Sequence, residues 1–459
     1  VKPIYIFAIE AGVQNLTTTN EYGTYFVMFD FVFLFVFLND AGIQNYNSRH
    51  IASNRSQLGN YFGEILGYKL FVGVFFACTT LLFGLWLGYT LEYFKMLILI
   101  IGVFFLNSFF MLLRSSLSAM GKYRWDSYIS ALDKIILLLI LGLLVYNGYQ
   151  TDSFNIIWYP QVQLIGALLA VLIALYMVYK TGLRISLSFS FSGLKKMILA
   201  TYPYALLLLF SSAYNRVDGV MLDHILMDGK HQAGMYASAY RFIEAGNMVG
   251  FLFASLLLPM LTHLITCKED YKTLFSFAFK VLAIIGGTIA VICILYADEI
   301  YDLIYVDKYA GASKLLSILM LSFIPVSLSH CFGSYLIAKG DLKGINIIFL
   351  LGLLLNLVLN YLLIPELKAE GASITTVITQ IFLFGGMAVY IDRKNPSLNL
   401  DKLLFFMILS ILFIGCLGWI INFFISSIFV GPPILLLILL IILYFSGWFS
   451  KAKTILDNR

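Results

Sequence analysis

The chain has 459 residues, 61% of them hydrophobic and 12% charged, with a net charge of +5 and a mean hydropathy of +0.90. A water-soluble core of this size is excluded, and lipid must be the solvent for most of the chain. The small positive excess, spread through short loops, argues against a nucleic-acid partner, and five scattered cysteines support neither a disulfide framework nor a metal site.

Taken in chain order, apolar stretches predict transmembrane helices over about 1–15, 24–44, 66–88, 96–117, 131–148, 156–179, 198–226, 234–263, 273–296, 315–337, 344–365, 371–391, 403–425 and 434–449. Runs such as 135–144 and 347–355 are apolar on every side, so the alternation of barrel strands is missing. The expected fold class is therefore an all-α polytopic membrane protein of about fourteen helices. The first span is short and the chain begins at Val1, which suggests that N-terminal residues are absent; no cleavable signal peptide is visible. The longest polar intervals, 45–65, 180–197 and 297–314, are too small to fold as domains, so function must lie within the helical bundle.

Lysine and arginine mark the sides of the membrane. Gaps after even-numbered spans, with the C-terminal tail, hold eighteen of them, from Arg49 and Arg55 to Lys453 and Arg459; gaps after odd-numbered spans hold five, Lys95, Lys230, Lys308, Lys314 and Lys368. Positive charge is retained in the cytoplasm, so both termini are expected inside.

Two short matches indicate a repeat. Tyr22-Gly23-Thr24-Tyr25 opens the second span and Ala233-Gly234-Met235-Tyr236 opens the eighth; Ala119-Met120-Gly121-Lys122 follows the fourth and Ala338-Lys339-Gly340-Asp341 the tenth. Both join span n to span n+6, and six is even, so two six-helix lobes of the same orientation are expected. The lobes are placed at 1–180 and 181–397, with two further helices and a tail at 398–459. Two equivalent halves about a central seam suit alternating access.

A charge at the centre of a span costs about 2.5–3.5 kcal/mol on insertion scales, so those that persist usually face a cavity or one another. The seventh span carries Asn215, Arg216 and Asp218, and the eighth carries Arg241, Glu244 and Asn247. Asp30 lies seven residues past Gly23, as Arg241 lies seven past Gly234, so equivalent positions carry opposite charges. The plainer reading of Arg241 and Glu244 is an i,i+3 pair that neutralises itself on one helix face. Arg49 and Asp40, near the inner end of the second span, read as interfacial groups, and Arg114 as an arginine reaching toward headgroups. Glu10 falls in the short first span, and Lys69 lies inside an apolar run. No phosphate-binding glycine loop, no H-E-x-x-H, no G-x-S-x-G and no D-x-D pair occurs, so catalysis lacks a visible apparatus.

Several of these stretches resemble a known family: Glu21-Tyr22-Gly23-Thr24-Tyr25, Asn39-Asp40-Ala41-Gly42-Ile43 running to Arg49-His50-Ile51-Ala52, Asn215-Arg216-Val217-Asp218, Ala233-Gly234-Met235-Tyr236 and Ala239-Tyr240-Arg241. With the fourteen-span layout, they are similar to polysaccharide biosynthesis flippases of the O-antigen (Wzx) type, in the multidrug, oligosaccharidyl-lipid and polysaccharide exporter superfamily. The resemblance implies two six-helix lobes around a cavity in the cytoplasmic (inner) membrane, and movement of an undecaprenyl-pyrophosphate-linked oligosaccharide between leaflets. Its implied partners are that lipid-linked oligosaccharide, membrane lipids and other polysaccharide assembly proteins. No cofactor or metal is implied beyond a proton or sodium gradient. Carried onto this chain, it makes Arg216 and Arg241 the cavity cations and Asp30, Asp218 and Glu244 the coupling carboxylates, with Asn215, Asn247, Arg49 and Arg114 as weaker candidates. The alternatives are a multidrug or cation antiporter of the same superfamily and, from a different class, a membrane polysaccharide polymerase or ligase.

Overall fold

A computed structural model describes residues 4–40, 42–43, 58–151, 154–181 and 187–445; Arg49, His50 and the C-terminal tail lie outside them. The described residues are helical, without a strand. Ten of their helices are long and apolar enough to cross a membrane. The chain packs as two compact units, Val1–Ala237 and Ser238–Arg459.

In the first unit a π-helical stretch, Tyr5–Glu10, continues into α1, Ala11–Leu16. Helix α2, Thr19–Leu34, starts on a capping box: Thr18 Oγ1 accepts from the Glu21 backbone N–H (3.2 Å) and the Glu21 carboxylate accepts from the Thr18 N–H (2.8 Å). It stops at Phe35, and a short helix α3, Val36–Asp40, follows. The predicted span 24–44 is thus two helices with a break between them. Helices α4 (Leu58–Trp86), α5 (Leu91–Ala119), α6 (Tyr123–Thr151), α7 (Trp158–Lys180) and α8 (Phe191–Ile225) come next. Helix α9, Gly229–Cys267, begins in the first unit and ends in the second.

The two glycines singled out by the sequence match lie at one crossing of α2 and the start of α9. A Cβ on Gly23 would fall 1.8 Å from the Lys230 carbonyl oxygen and 2.9 Å from the Gly234 nitrogen; one on Gly234 would fall 2.2 Å from the Thr19 oxygen. Only residues without a side chain let the two backbones touch.

The second unit contains α10 (Lys272–Leu295), a short amphipathic helix α11 (Ala297–Ile304), α12 (Ala312–Ala338), α13 (Leu342–Lys394), α14 (Leu400–Phe424) and α15 (Gly431–Phe445). Helix α13 breaks at Lys368, whose φ of 52° and ψ of −131° are not helical, so it comprises two apolar segments joined at a turn. Helices α14 and α15 pack on α10 through Val291, Ile414, Ile421, Leu435 and Leu439. The other matched tetrapeptides form one turn type: Gly121 (φ 80°) and Gly340 (φ 74°) end α5 and α12. In each, the next residue's N–H reaches back to Leu117 or Leu336, closing the last turn with left-handed glycine.

Polarity runs inside out relative to a soluble protein. On α13 the exposed positions include Leu351, Leu354, Val358, Leu362 and Ile381, while Asn356, Asn360, Thr375 and Thr379 are buried. This is the pattern of helices solvated by lipid.

Candidate functional site

The first unit brings together charges that lie far apart in sequence. Asp30 projects from α2 and is 1% exposed; its Oδ1 accepts from Arg216 Nη1 of α8 at 3.1 Å. Phe29 and Phe33, on the same side of α2, place their rings 5.5 and 4.8 Å from the Arg216 guanidinium. The cation is therefore neutralised by a carboxylate and cushioned by two π faces, which offsets the cost of keeping it out of water. Gly219, one turn beyond Arg216, makes the approach possible, since a Cβ there would meet Asp30 Oδ2 at 2.5 Å.

Asp218 is also buried, but it looks the other way round α8, as a residue two positions from Arg216 must. Its Oδ2 accepts from the Tyr236 hydroxyl of α9 at 2.9 Å. Asn215 donates to the Ser211 carbonyl one turn back (2.8 Å). Asp30 is thus not an isolated carboxylate, as its own span suggests, but half of an ion pair with Arg216.

In the second unit Arg241 is buried and donates to Glu244, the plainer of the two arrangements open to that i,i+3 spacing. Further along α9, Asn247 Oδ1 meets His330 Nε2 of α12 at 3.2 Å, and Gly250 leaves room for that ring. Arg114 pairs with Asp126 across the α5–α6 turn at 2.7 Å and lies over Phe110, an anchored arginine instead of one extended toward headgroups.

Three further polar groupings are brought together by the fold. Glu10 is buried, and Tyr159 donates to it at 3.1 Å; Tyr159 meets Tyr5 (3.0 Å), Gln163 donates to Tyr5 (3.2 Å), and Tyr25 donates to Gln163 (3.3 Å). This chain of hydrogen bonds runs from the Tyr5–Glu10 stretch through α7 to α2, the helix of Asp30. A lone acid four residues before Gln14 in an apolar stretch is its sequence signal.

Lys69 of α4 is fully buried. Its ammonium donates to the Asn39 carbonyl at 2.6 Å and to Ser108 Oγ of α5, while Asn39 Nδ2 donates to the Phe104 carbonyl at 2.9 Å. A cation on the Asn39 carbonyl, in the last turn of α3, is well placed against that helix's dipole. The third grouping is the buried polar seam of α13, where Asn360 donates to Asn356 at 3.1 Å and the hydroxyls of Thr375 and Thr379 have no hydrogen-bond partner among the described residues. Its i,i+4 spacing of polar residues inside apolar runs was visible in the sequence. No cluster of metal-binding side chains occurs among the described residues.

Comparison with known proteins places these features in a family. The model of the polysaccharide biosynthesis protein family matches residues 12–265, and the MatE model matches 203–362. A capsular polysaccharide biosynthesis protein, CapF of Staphylococcus aureus, is 24% identical over 190 residues, which is 40% of this chain and 47% of that protein. The match thus spans about half the length of that relative. Among solved structures, an inward-facing multidrug resistance MATE family transporter superposes with a TM-score of 0.69 at 14% identity, covering 86% of this chain and 95% of the other. The lipid II flippase MurJ in an inward closed conformation gives 0.66 at 16%, covering 98% and 97%. These likenesses bear on the fold. Since the first family model covers more than half of the chain, the protein belongs to the polysaccharide biosynthesis protein family, as a multi-pass membrane protein of the multidrug, oligosaccharidyl-lipid and polysaccharide exporter superfamily.

Proposed function

We propose that the protein is a flippase that moves an undecaprenyl-pyrophosphate-linked oligosaccharide from the inner to the outer leaflet of the cytoplasmic membrane by alternating access, with both termini in the cytoplasm. The observation that carries this reading is the buried Asp30–Arg216 pair in a polysaccharide-biosynthesis chain. A guanidinium binds phosphate oxygens through two parallel hydrogen bonds, and burial strengthens that attraction. Until cargo arrives, Asp30 keeps the cation neutralised. A pyrophosphate then competes with the carboxylate for Arg216, and protonation of Asp30 from one side of the membrane weakens the competitor. Anion binding is thereby linked to a proton gradient. Arg241, held by Glu244, is assigned the same role in the second unit, and Asp218 serves with these acids as a coupling group. The lipid tail stays in the bilayer beside the protein, and other assembly proteins receive the glycan outside.

The test is surface glycan in a deletion strain carrying variants. Arg216→Ala and Arg241→Ala should each reduce it at least tenfold at unchanged protein level, whereas wild-type glycan in both would remove these arginines from the mechanism. A multidrug or cation antiporter is the second reading, favoured by the MatE match over 203–362. Uptake of a cationic dye into vesicles, with glycan export intact in the deletion strain, would decide for it.

A further inference from the structure

Tight turns at one end of the first unit border an open hollow of about 300 Å³ that the ion pair does not use. Its walls come from the α4–α5 turn and the α8–α9 turn. Gly88, with φ of 78°, ends α4 and turns Tyr89 inward. Gly229 packs so closely on Leu222 and Asp223 that a Cβ there would lie 2.4 Å from a carbonyl oxygen, which brings Lys230 beside Asp223. By the charge asymmetry of the loops, both turns lie on the outer side of the membrane.

The hollow offers both kinds of hydrogen-bonding group. His224 Nδ1 lies 3.2 Å from the Val220 carbonyl, which can only accept, and 4.0 Å from Asp223 Oδ2, so that nitrogen carries a hydrogen and the imidazole gives the hollow a polar wall. The Asp223 carboxylate is an acceptor, and the Lys230 ammonium, 4.7 Å from the centroid of the Tyr93 ring, is a donor. The Tyr89 hydroxyl is buried and has no hydrogen-bond partner among the described residues. Burial, and after it the Asp223 carboxylate and Tyr93, push its pKa up, so it stays a donor at any physiological pH. Tyr89 and Tyr93 stack at 5.5 Å and form an aromatic wall.

This chemistry selects its ligand class. A carboxylate, an imidazole and an ammonium in the lining disfavour an apolar molecule, and the buried Tyr89 hydroxyl beneath them is a donor still to be satisfied. Asp223 disfavours an anion and Lys230 a cation. A neutral ring carrying hydroxyls on adjacent carbons satisfies donors and acceptors together, and its C–H edges suit tyrosine rings. The volume is at the lower end of the roughly 300–1,000 Å³ of small-molecule sites. An adjoining hollow of about 460 Å³ shares Met227 and Lys230 and adds Asn20, Glu21, Thr24, Asp228 and His231, giving room for a neighbouring residue of a chain.

We propose that this hollow is a saccharide site, which holds one neutral pyranose of the glycan on the outer side of the membrane; the inference rests on the flippase reading above. The site also touches the transport machinery, because the Tyr89 ring packs edge-on against Phe31, the neighbour of Asp30. A sugar seated there therefore acts on the helix that holds the ion pair.

Saturation-transfer NMR on the full chain in nanodiscs, with galactose, N-acetylglucosamine and rhamnose as probes, tests the site. The wild type should transfer saturation to the ring protons of at least one of them. Asp223→Asn should weaken that binding by about tenfold, the loss expected for one hydrogen bond to a charged group; Tyr93→Ala, which removes part of the aromatic wall, should weaken it as well, and Gly415→Ala in α14 should leave it unchanged. Lys230→Gln, a change at a half-buried position that keeps a hydrogen-bonding end, should also weaken binding, and an unchanged thermal midpoint in each variant shows that it folds. No transfer to any of the three sugars, or undiminished transfer in Asp223→Asn and Lys230→Gln, overturns the proposal. Loss of surface glycan in Arg216→Ala without sugar transfer in the wild type would remove this site and leave the flippase reading standing. Sugar transfer with normal glycan in every arginine variant would do the reverse.

Discussion

At the scale of single residues, the Asp30–Arg216 pair separates stability from function. Removing one partner of a buried ion pair leaves the other uncompensated, at a cost of about 3–5 kcal/mol, whereas replacing both with apolar residues of similar volume is often neutral. Asp30→Leu alone should therefore lower the thermal midpoint of the detergent-solubilised protein, and Asp30→Leu with Arg216→Leu should recover most of it while surface glycan stays lost. Equal destabilisation by the single and double changes would mean that the pair is not a unit. The positions of these charges were legible in the sequence, because an acid or base stands out in an apolar run. Their partnership was not, since Asp30 and Arg216 are 186 residues apart and neither helix alone records what faces it. For Arg241 and Glu244 the pairing is local, so spacing alone was enough to suggest it.

At the scale of the helices, the glycine crossing of α2 and α9 admits a direct check. Gly23→Ala places a methyl group against the Lys230 carbonyl, where backbone and not a flexible side chain must yield. Overpacking of this kind costs about 1–3 kcal/mol, seen as a lower thermal midpoint. Gly415→Ala in α14 meets nothing within 4 Å and should be neutral or mildly stabilising, so it controls for the substitution itself. The likeness of the two glycine tetrapeptides was visible beforehand; that they touch was not. The break at Phe35 had no herald either. Neither proline nor glycine occurs from Thr24 to Asp40, and the run of phenylalanines reads as one uninterrupted span. Lys69 is masked for the opposite reason, because one lysine does little to the hydropathy of a window that is otherwise apolar.

At the scale of the whole molecule, hydropathy was the most readable signal, since lipid imposes it on every helix. The side expected for each loop rests on the lysine and arginine asymmetry and is open to measurement. In a cysteine-free background, Met227→Cys should react with a membrane-impermeant maleimide in intact cells, and Lys339→Cys only after permeabilisation. The reverse pattern would invert the topology and with it the outer placement of the Tyr89 hollow. Both positions are exposed, so failure to react cannot be blamed on burial.

The 186-residue interval between Asp30 and its arginine also bears on biogenesis. A ribosome delivers the carboxylate to the insertion machinery long before α8 has been translated, and during that interval the acid waits without its counter-charge. Nascent chains truncated ahead of α8 should accordingly be degraded faster than chains that include it, and Asp30→Leu should abolish the difference. A pulse-chase comparison of the two lengths would reveal whether the ion pair also serves as a checkpoint on assembly.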